Sequence, residues 1–112
     1  MIFKNRGRGV RRAPGVMNKT EERYAQRLML LHRAGEIEWY EFDAIKLRLA
    51  DKTFYTPDFL VMLASGEIEV HEVKGHWEDD ARVKIKVAAS LFPFRFAAYT
   101  PTKGGGWERE DF

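Results

Sequence analysis

The chain has 112 residues, of which 45% are hydrophobic, and a formal net charge of +2 at pH 7. This length suits one domain with a single core, and no apolar run approaches the roughly 20 residues that cross a bilayer, so we expect no membrane span. The sequence contains no cysteine, which excludes disulfides, thiolate metal sites and cysteine nucleophiles. No apolar signal-peptide core follows the basic N-terminus, so we expect a cytoplasmic location.

Positive charge is concentrated at the N-terminus. The basic residues before position 20 are Lys4, Arg6, Arg8, Arg11, Arg12 and Lys19, and no acidic residue lies among them. The stretch KNRGRGVRRAPG is also rich in glycine and poor in apolar residues. We therefore expect residues 1–17 to form a flexible arm that can order along a phosphate backbone. A solubilising tail is the alternative interpretation.

The stretch NKTEERYAQRLMLLHRAG predicts a helix from near Asn18 to Gly35. Asn18 is a good N-cap residue with Glu21 three positions later, and Gly35 suits the C′ position. One face of this helix carries the apolar side chains of Tyr24, Ala25, Leu28 and Leu31. Glu21 lies on the same stripe one turn earlier.

Strand patterns follow the first helix. AIKLRLA alternates between apolar and polar residues, which predicts a first strand over about residues 43–50. TFYTPDFLVML predicts a second strand and EIEVHEVK a third. EDDARVKIKVAASLF predicts a helix that ends before Pro93, FRFAAYT a fourth strand, and PTKGGGWEREDF a Gly-rich loop and tail. The order αβββαβ predicts one α/β domain over residues 18–112, with a mixed four- to five-stranded sheet flanked by helices.

The second and third strands have a predictable register. A three-residue loop of Ala64, Ser65 and Gly66, with Gly66 in the left-handed conformation, would pair Leu63 with Glu67. This register gives one face that is apolar apart from the end of the hairpin, whereas a two-residue loop would mix apolar and polar side chains on both faces.

In that register, Asp58 faces Glu72, and Lys74 lies on the same face. Clustered carboxylates at the edge of a core are costly unless a cation lies between them. Mg²⁺ is the obvious candidate, because it prefers oxygen ligands and is usually held by one or two carboxylates together with substrate phosphate. Lys74 would then orient or help to deprotonate a bound water and offset the charge of the transition state.

The combination of TPD, EVK at the end of the next strand and a glutamate on a preceding helix resembles the PD-(D/E)XK nuclease superfamily over roughly residues 18–100. The resemblance implies a restriction-endonuclease-like αβββαβ core and hydrolysis of phosphodiester bonds with Mg²⁺ or Mn²⁺. Carried over residue by residue, it implies metal binding by Asp58 and Glu72, activation of the water by Lys74, and completion of the site by Glu21. NKTEERYA, YTPDF and EVKGHWEDDARVKIKVAA are further similar to small phage-encoded endonucleases, including proteins like Holliday-junction resolvases, which implies the host cytoplasm.

Each of these residues also has a plain structural interpretation. Asp58 could be a turn residue after Pro57, and Glu72 with Lys74 could be a solvated strand end. Glu21 is also explained by the capping box, and Glu22 would replace it as a ligand if the helix were rotated. His71 should point away from the face of Glu72 and is expected to be structural.

Nine cationic side chains are candidates for DNA contacts: Arg6, Arg8, Arg11, Arg12, Lys19, His76, Arg82, Lys84 and Lys86. A solvated helix face is the alternative for the last three. Trp77 and Trp107 would either stack on bases or pack within the protein.

A domain of this size has little surface for reading a sequence, which favours branched DNA or Holliday junctions as substrate. Symmetric cutting of two strands would require a homodimer. The alternatives are a non-catalytic nucleic-acid-binding module of the same fold, an RNA-directed nuclease, and a protein-interaction domain for which the arm is incidental.

Overall fold

The computed structural model describes residues 15–77 and 79–112. The predictions for Arg6, Arg8, Arg11 and Arg12 lie outside these residues. The described helices and strands are α1 Lys19–Arg33, β1 Ile37–Phe42, β2 Leu47–Ala50, β3 Thr53–Tyr55, β4 Phe59–Leu63, β5 Ile68–Val73, α2 Asp79–Leu91, β6 Arg95–Pro101 and β7 Trp107–Asp111. Neither α1 nor α2 has the length and apolar character that crossing a bilayer requires.

The strands form a mixed five-stranded sheet in the order β1-β4-β5-β6-β7, and β2 and β3 form a separate hairpin. Only β5 and β6 are parallel among the described pairs of this sheet. The expected α/β class with a mixed sheet and flanking helices is therefore confirmed.

The two helices cover opposite faces of the sheet. Tyr24 and Leu28 of α1 belong to one buried cluster with Val73 of β5. Ile85 of α2 belongs to a second cluster with Val70 of β5 and with the β2–β3 hairpin. Val70 and Val73 are an odd number of positions apart, so their side chains leave β5 on opposite sides.

The predicted ends of α1 are confirmed. The Asn18 side chain accepts a hydrogen bond from the Glu21 N–H (2.8 Å), and the Glu21 carboxylate accepts one from the Asn18 N–H (2.9 Å). At the other end, Gly35 has φ 80° and its N–H bonds the His32 carbonyl. These caps satisfy backbone groups that the helix leaves without partners.

The predicted hairpin register is also confirmed. Leu60 pairs with Val70, the Leu63 N–H donates to the Glu67 carbonyl (2.8 Å), and Gly66 has φ 92°. Continuing this ladder by two residues places Asp58 opposite Glu72.

Two of the strand predictions have wrong bounds. The sheet strand β1 is Ile37–Phe42, whereas part of the predicted strand over residues 43–50 forms β2 of the small hairpin. β1 is an edge strand in which only Ile37 is buried, and its irregular register near Trp39 further weakens the alternation. The second predicted strand divides into β3 and β4 at Pro57, since proline has no N–H to donate to a ladder.

The predicted C-terminal tail is instead β7, which pairs antiparallel with β6. Four of its five residues are exposed, and its sequence, WERED, is mostly charged. Charged edge strands carry no apolar alternation for a sequence pattern to detect.

Substituting Gly66 tests the turn that sets the hairpin register. A Cβ at Gly66 meets no atom within 4 Å, so Gly66→Ala should lower the free energy of unfolding by about 1 kcal/mol through backbone strain alone. Gly75→Ala is the matched control, because Gly75 has equal space and no positive φ. Equal effects of the two substitutions in urea unfolding would contradict the role of the left-handed turn.

Candidate active site

The end of the β4–β5 hairpin holds two buried carboxylates. Asp58 precedes β4 and is 0% exposed, and Glu72 in β5 is 4% exposed. The Lys74 Nζ lies 3.2 Å from Glu72 Oε2, and its side chain is 24% exposed. The structure thus brings Asp58, Glu72 and Lys74 together as expected, and their catalytic roles stay a prediction.

Backbone groups hold both carboxylates in place. Asp58 Oδ2 accepts a hydrogen bond from the Val73 N–H (2.8 Å), and Glu72 Oε1 accepts one from the Asp58 N–H (3.1 Å). Each carboxylate therefore bonds the backbone of the neighbouring strand. Such bonds offset part of the cost of burying a charge and fix the direction of each carboxylate.

Tyr55 is a site residue that sequence reasoning missed. Its hydroxyl donates to Glu72 Oε1 at 2.8 Å from the β2–β3 hairpin. Burial, followed by the nearby carboxylates of Glu72 and Asp58, raises the pKa of Tyr55 well above its ordinary value, so it remains a donor. No local pattern marks this contact, because it depends on how the small hairpin packs on β5.

Several chain segments meet at this edge of the sheet. The Lys74 N–H bonds the Tyr99 carbonyl at 3.0 Å, and the Asp43 N–H bonds the Asp58 carbonyl at 2.9 Å. Asp43 Oδ2 in turn accepts from the Gly15 N–H at 2.9 Å. The chain therefore enters the described part of the fold beside the carboxylates.

Glu21 lies at the beginning of α1 and is 1% exposed, whereas Glu22 is exposed. One Glu21 oxygen accepts the capping-box bond from Asn18. Within residues 15–77 and 79–112, no group of three or more His, Cys, Asp or Glu side chains is arranged to hold a metal ion. Metal ligation by Glu21 stays a prediction.

Asp58 and Glu72 have the chemistry that a hard divalent cation requires. Both present carboxylate oxygens, and the Lys74 ammonium lies 3.2 Å from Glu72 Oε2. Mg²⁺ in proteins commonly binds one or two carboxylates and completes its coordination with water and substrate phosphate. The two residues therefore fit such an ion without a third protein carboxylate.

The predicted DNA contacts on α2 differ from one another in their surroundings. The Arg82 guanidinium donates to Glu110 Oε1 at 3.0 Å and lies 4.7 Å from the Trp77 ring centroid. A phosphate would therefore compete with an existing ion pair at Arg82. Burial lowers the pKa of Lys84, whereas Lys86 is exposed.

Lys19 and His76 are both exposed. Trp77 packs against the buried cluster that contains Ile85 of α2. Trp107 packs against the buried cluster that contains Tyr24 of α1, so both rings have partners within the protein. DNA binding by these cations and rings stays a prediction.

The opposite face of β5 carries a second buried polar group. His71 Nε2 lies 2.8 Å from Glu69 Oε1, and His71 Nδ1 lies 2.7 Å from the Tyr24 hydroxyl. The bond from His71 holds the pKa of Glu69 down at about 2, and burial lowers the pKa of His71. An ionised Glu69 accepts from Nε2–H, which leaves Nδ1 to accept from Tyr24. The expected placement of His71 away from Glu72 is confirmed.

Removing the Tyr55 hydroxyl tests its bond to Glu72. Tyr55→Phe should lower the free energy of unfolding by about 1 to 2 kcal/mol, because it leaves a buried carboxylate with one donor fewer. The effect should shrink when Glu72 is already glutamine. Tyr40→Phe is the matched control, since the Tyr40 hydroxyl bonds no described residue. Similar losses for the two tyrosines in urea unfolding would contradict a specific bond.

The buried pair of His71 and Glu69 should make the folded protein less stable in acid. The pKa of His71 is lowered on folding, so its contribution to stability is complete above the unfolded value of about 6.5 and declines below it. The contribution of Glu69, whose pKa falls from 4.5 to about 2, is lost between those values.

The free energy of unfolding should therefore fall between pH 7.5 and pH 5.5, and His71→Gln should remove most of this decline. His32→Gln, at an exposed histidine, should retain it. An unchanged decline in His71→Gln would show that other groups cause it.

No protein-family model, curated protein or solved structure matches this chain.

Proposed function

We propose that this protein is a divalent-metal-dependent endonuclease that hydrolyses phosphodiester bonds in DNA. The observation that carries the proposal is the buried pair Asp58 and Glu72 on one face of the sheet, with the Lys74 ammonium 3.2 Å from Glu72. The fold supports it, because α1, the β1–β4–β5 meander, α2 and the parallel strand β6 follow the αβββαβ order of a restriction-endonuclease-like core.

The energetic cost of the cluster supports a functional role. Well-packed apolar side chains often stabilise a core as much as a buried ion pair does, so the stability of the core alone does not require the ion pair between Glu72 and Lys74. Residues whose charges are buried and specifically partnered are concentrated at functional sites. Lys74, with 24% of its side chain exposed, is the most exposed of the three residues.

The position of each side chain in the candidate site suggests its role in the proposed hydrolysis. Asp58 and Glu72 would hold Mg²⁺ or Mn²⁺, and the bound ion supplies Lewis-acid stabilisation of the phosphoryl group and a water of lowered pKa. Lys74 orients the attacking water and offsets negative charge that develops in the transition state. Tyr55 fixes the orientation of Glu72 through its hydroxyl. Glu21 completes the site if α1 presents its carboxylate to the ion.

DNA is the proposed substrate because of the basic N-terminal sequence and its point of attachment. Gly15, where the described chain begins, bonds Asp43, which bonds Asp58. Arg6, Arg8, Arg11 and Arg12 precede Gly15 in the sequence. The small size of the domain favours recognition of DNA structure, such as branches or four-way junctions, and cutting of both strands would employ a homodimer.

A second candidate function is a non-catalytic nucleic-acid-binding module with the same basic sequence. It is favoured by the lack of a three-carboxylate metal group in the described residues and by the ion pair between Lys74 and Glu72. In that case Lys74 would serve only to neutralise Glu72. Activity measurements separate the two functions.

Nicking of supercoiled plasmid and of a synthetic four-way junction tests the nuclease. Wild type should cut with Mg²⁺ or Mn²⁺ and not with EDTA. Asp58→Asn, Glu72→Gln and Lys74→Gln should each lower the rate on the order of 100-fold or more, because each removes a charge from the reacting centre. Matched RNA substrates would show whether DNA is preferred.

Two variants control for the loss of a carboxylate. Asp51→Asn lies in the exposed β2–β3 turn, and Glu67→Gln lies at the other end of the β5 hairpin. Both should cut at the wild-type rate. Binding without cleavage under every metal condition would instead support the non-catalytic module.

A further inference from the structure

A positively charged surface lies on the side of α1 that faces β7. Lys19, Arg23 and Arg27 follow one another at four-residue intervals, so they form one stripe along the helix. Arg109 of β7 lies beside this stripe and shares the Tyr99 ring with Arg27. We call these four cations the arginine surface.

Aromatic rings hold the guanidinium groups of this surface. Arg23 lies 5.7 Å from the Trp107 ring centroid, and Arg27 lies 5.0 Å from that of Tyr99. Arg109 lies 5.6 Å from the Tyr99 ring centroid and donates to the Tyr99 hydroxyl at 2.8 Å. Rings that restrict a guanidinium reduce the entropy that it loses on binding an anion.

The charge of the surface is only partly neutralised. Arg109 forms ion pairs with Glu69 at 3.3 Å and Asp111 at 2.8 Å. Among residues 15–77 and 79–112, no carboxylate forms an ion pair with Lys19, Arg23 or Arg27. Three cations at helical spacing therefore have no acidic partner in this part of the chain.

The arginine surface adjoins the candidate active site. Trp107, whose ring contacts the Arg23 guanidinium, pairs with Pro101 at the end of β6. β5, which lies beside β6, ends at the site, and there the Lys74 N–H donates to the Tyr99 carbonyl. Lys19 begins α1 at this same edge, four residues after Gly15, whose N–H bonds Asp43 beside Asp58. A DNA strand that leaves the carboxylates would therefore pass around the end of β5 to reach the face of the sheet that α1 covers.

We propose that the arginine surface binds the phosphate backbone of a DNA strand that extends away from the active site. The inference rests on the proposed nuclease function and adds the path of its substrate. Planar guanidinium groups bind phosphate oxygens in pairs, and successive cations along a helix can follow successive phosphates. This surface recognises the backbone rather than the bases, which agrees with selection of DNA by its structure.

Binding of fluorescently labelled single-stranded and duplex DNA, measured by anisotropy in EDTA, tests the surface without requiring catalysis. The test variant is Lys19→Gln with Arg23→Gln, because both side chains are exposed and their loss leaves the core intact. The matched control is Arg33→Gln with Arg48→Gln, which removes the same charge from exposed positions elsewhere.

The Kd of the test variant should rise about 10-fold at moderate salt, and the slope of log K against log salt concentration should fall by roughly 0.7 to 0.9 for each phosphate that the variant no longer neutralises. The control variant should stay within about twofold of wild type, because general charge contributes weakly at a distance. Equal weakening of the two variants, or no weakening in either, would overturn the proposed surface. Circular dichroism verifies that both variants fold.

The same variants separate this inference from the nuclease proposal. If the test variant binds DNA weakly and wild type never cleaves, the arginine surface stands and the nuclease function fails. If wild type cleaves and the test variant binds and cleaves equally well, the nuclease function stands and the surface is overturned.

Discussion

The hydrogen bonds that the Asp58 and Glu72 carboxylates accept from backbone N–H groups determine how this edge of the fold is built. Beyond the last backbone pair of the β4–β5 hairpin, the Asp58 carboxylate accepts from the Val73 N–H and the Glu72 carboxylate accepts from the Asp58 N–H. Carboxylates thus replace carbonyl groups as the acceptors that end the ladder. They bring negative charge into a buried region, and the Tyr55 hydroxyl and the Lys74 ammonium offset part of the cost.

The two faces of β5 separate two kinds of polar chemistry. Glu72 lies on the face that α2 and the small hairpin cover, and Glu69 with His71 lies on the face that α1 covers. The bonds of His71 to Glu69 and Tyr24 fix α1 relative to the sheet. Because α1 is fixed there, its first residues lie at the edge where β5 ends, and its cationic stripe lies beside β7. The His71 group, on the face that α1 covers, therefore positions the arginine surface. That surface is proposed to guide DNA towards Asp58 and Glu72 on the other face of the sheet.

Local patterns in the sequence predicted the parts of the structure that local interactions determine. The ends of α1 follow from Asn18 and Gly35, and the register of the hairpin follows from Gly66, so the meeting of Asp58, Glu72 and Lys74 was predictable. The edge strands β1 and β7 were not, because their exposed charged residues obscure the alternation that marks a strand. The contacts of Tyr55 and Arg23 depend on packing between segments distant in sequence, which no short pattern encodes.

We propose that Asp58 and Glu72 together bind a divalent cation. Mn²⁺ binding followed by electron paramagnetic resonance tests it most directly, because the six-line signal of aqueous Mn²⁺ weakens when the ion binds protein. We predict that wild-type protein binds Mn²⁺ at millimolar or lower concentration, that Mg²⁺ competes, and that Asp58→Asn and Glu72→Gln each abolish binding while Glu67→Gln does not. Binding that persists in both site variants, or no binding by wild type, would show that Asp58 and Glu72 do not form a site for the ion.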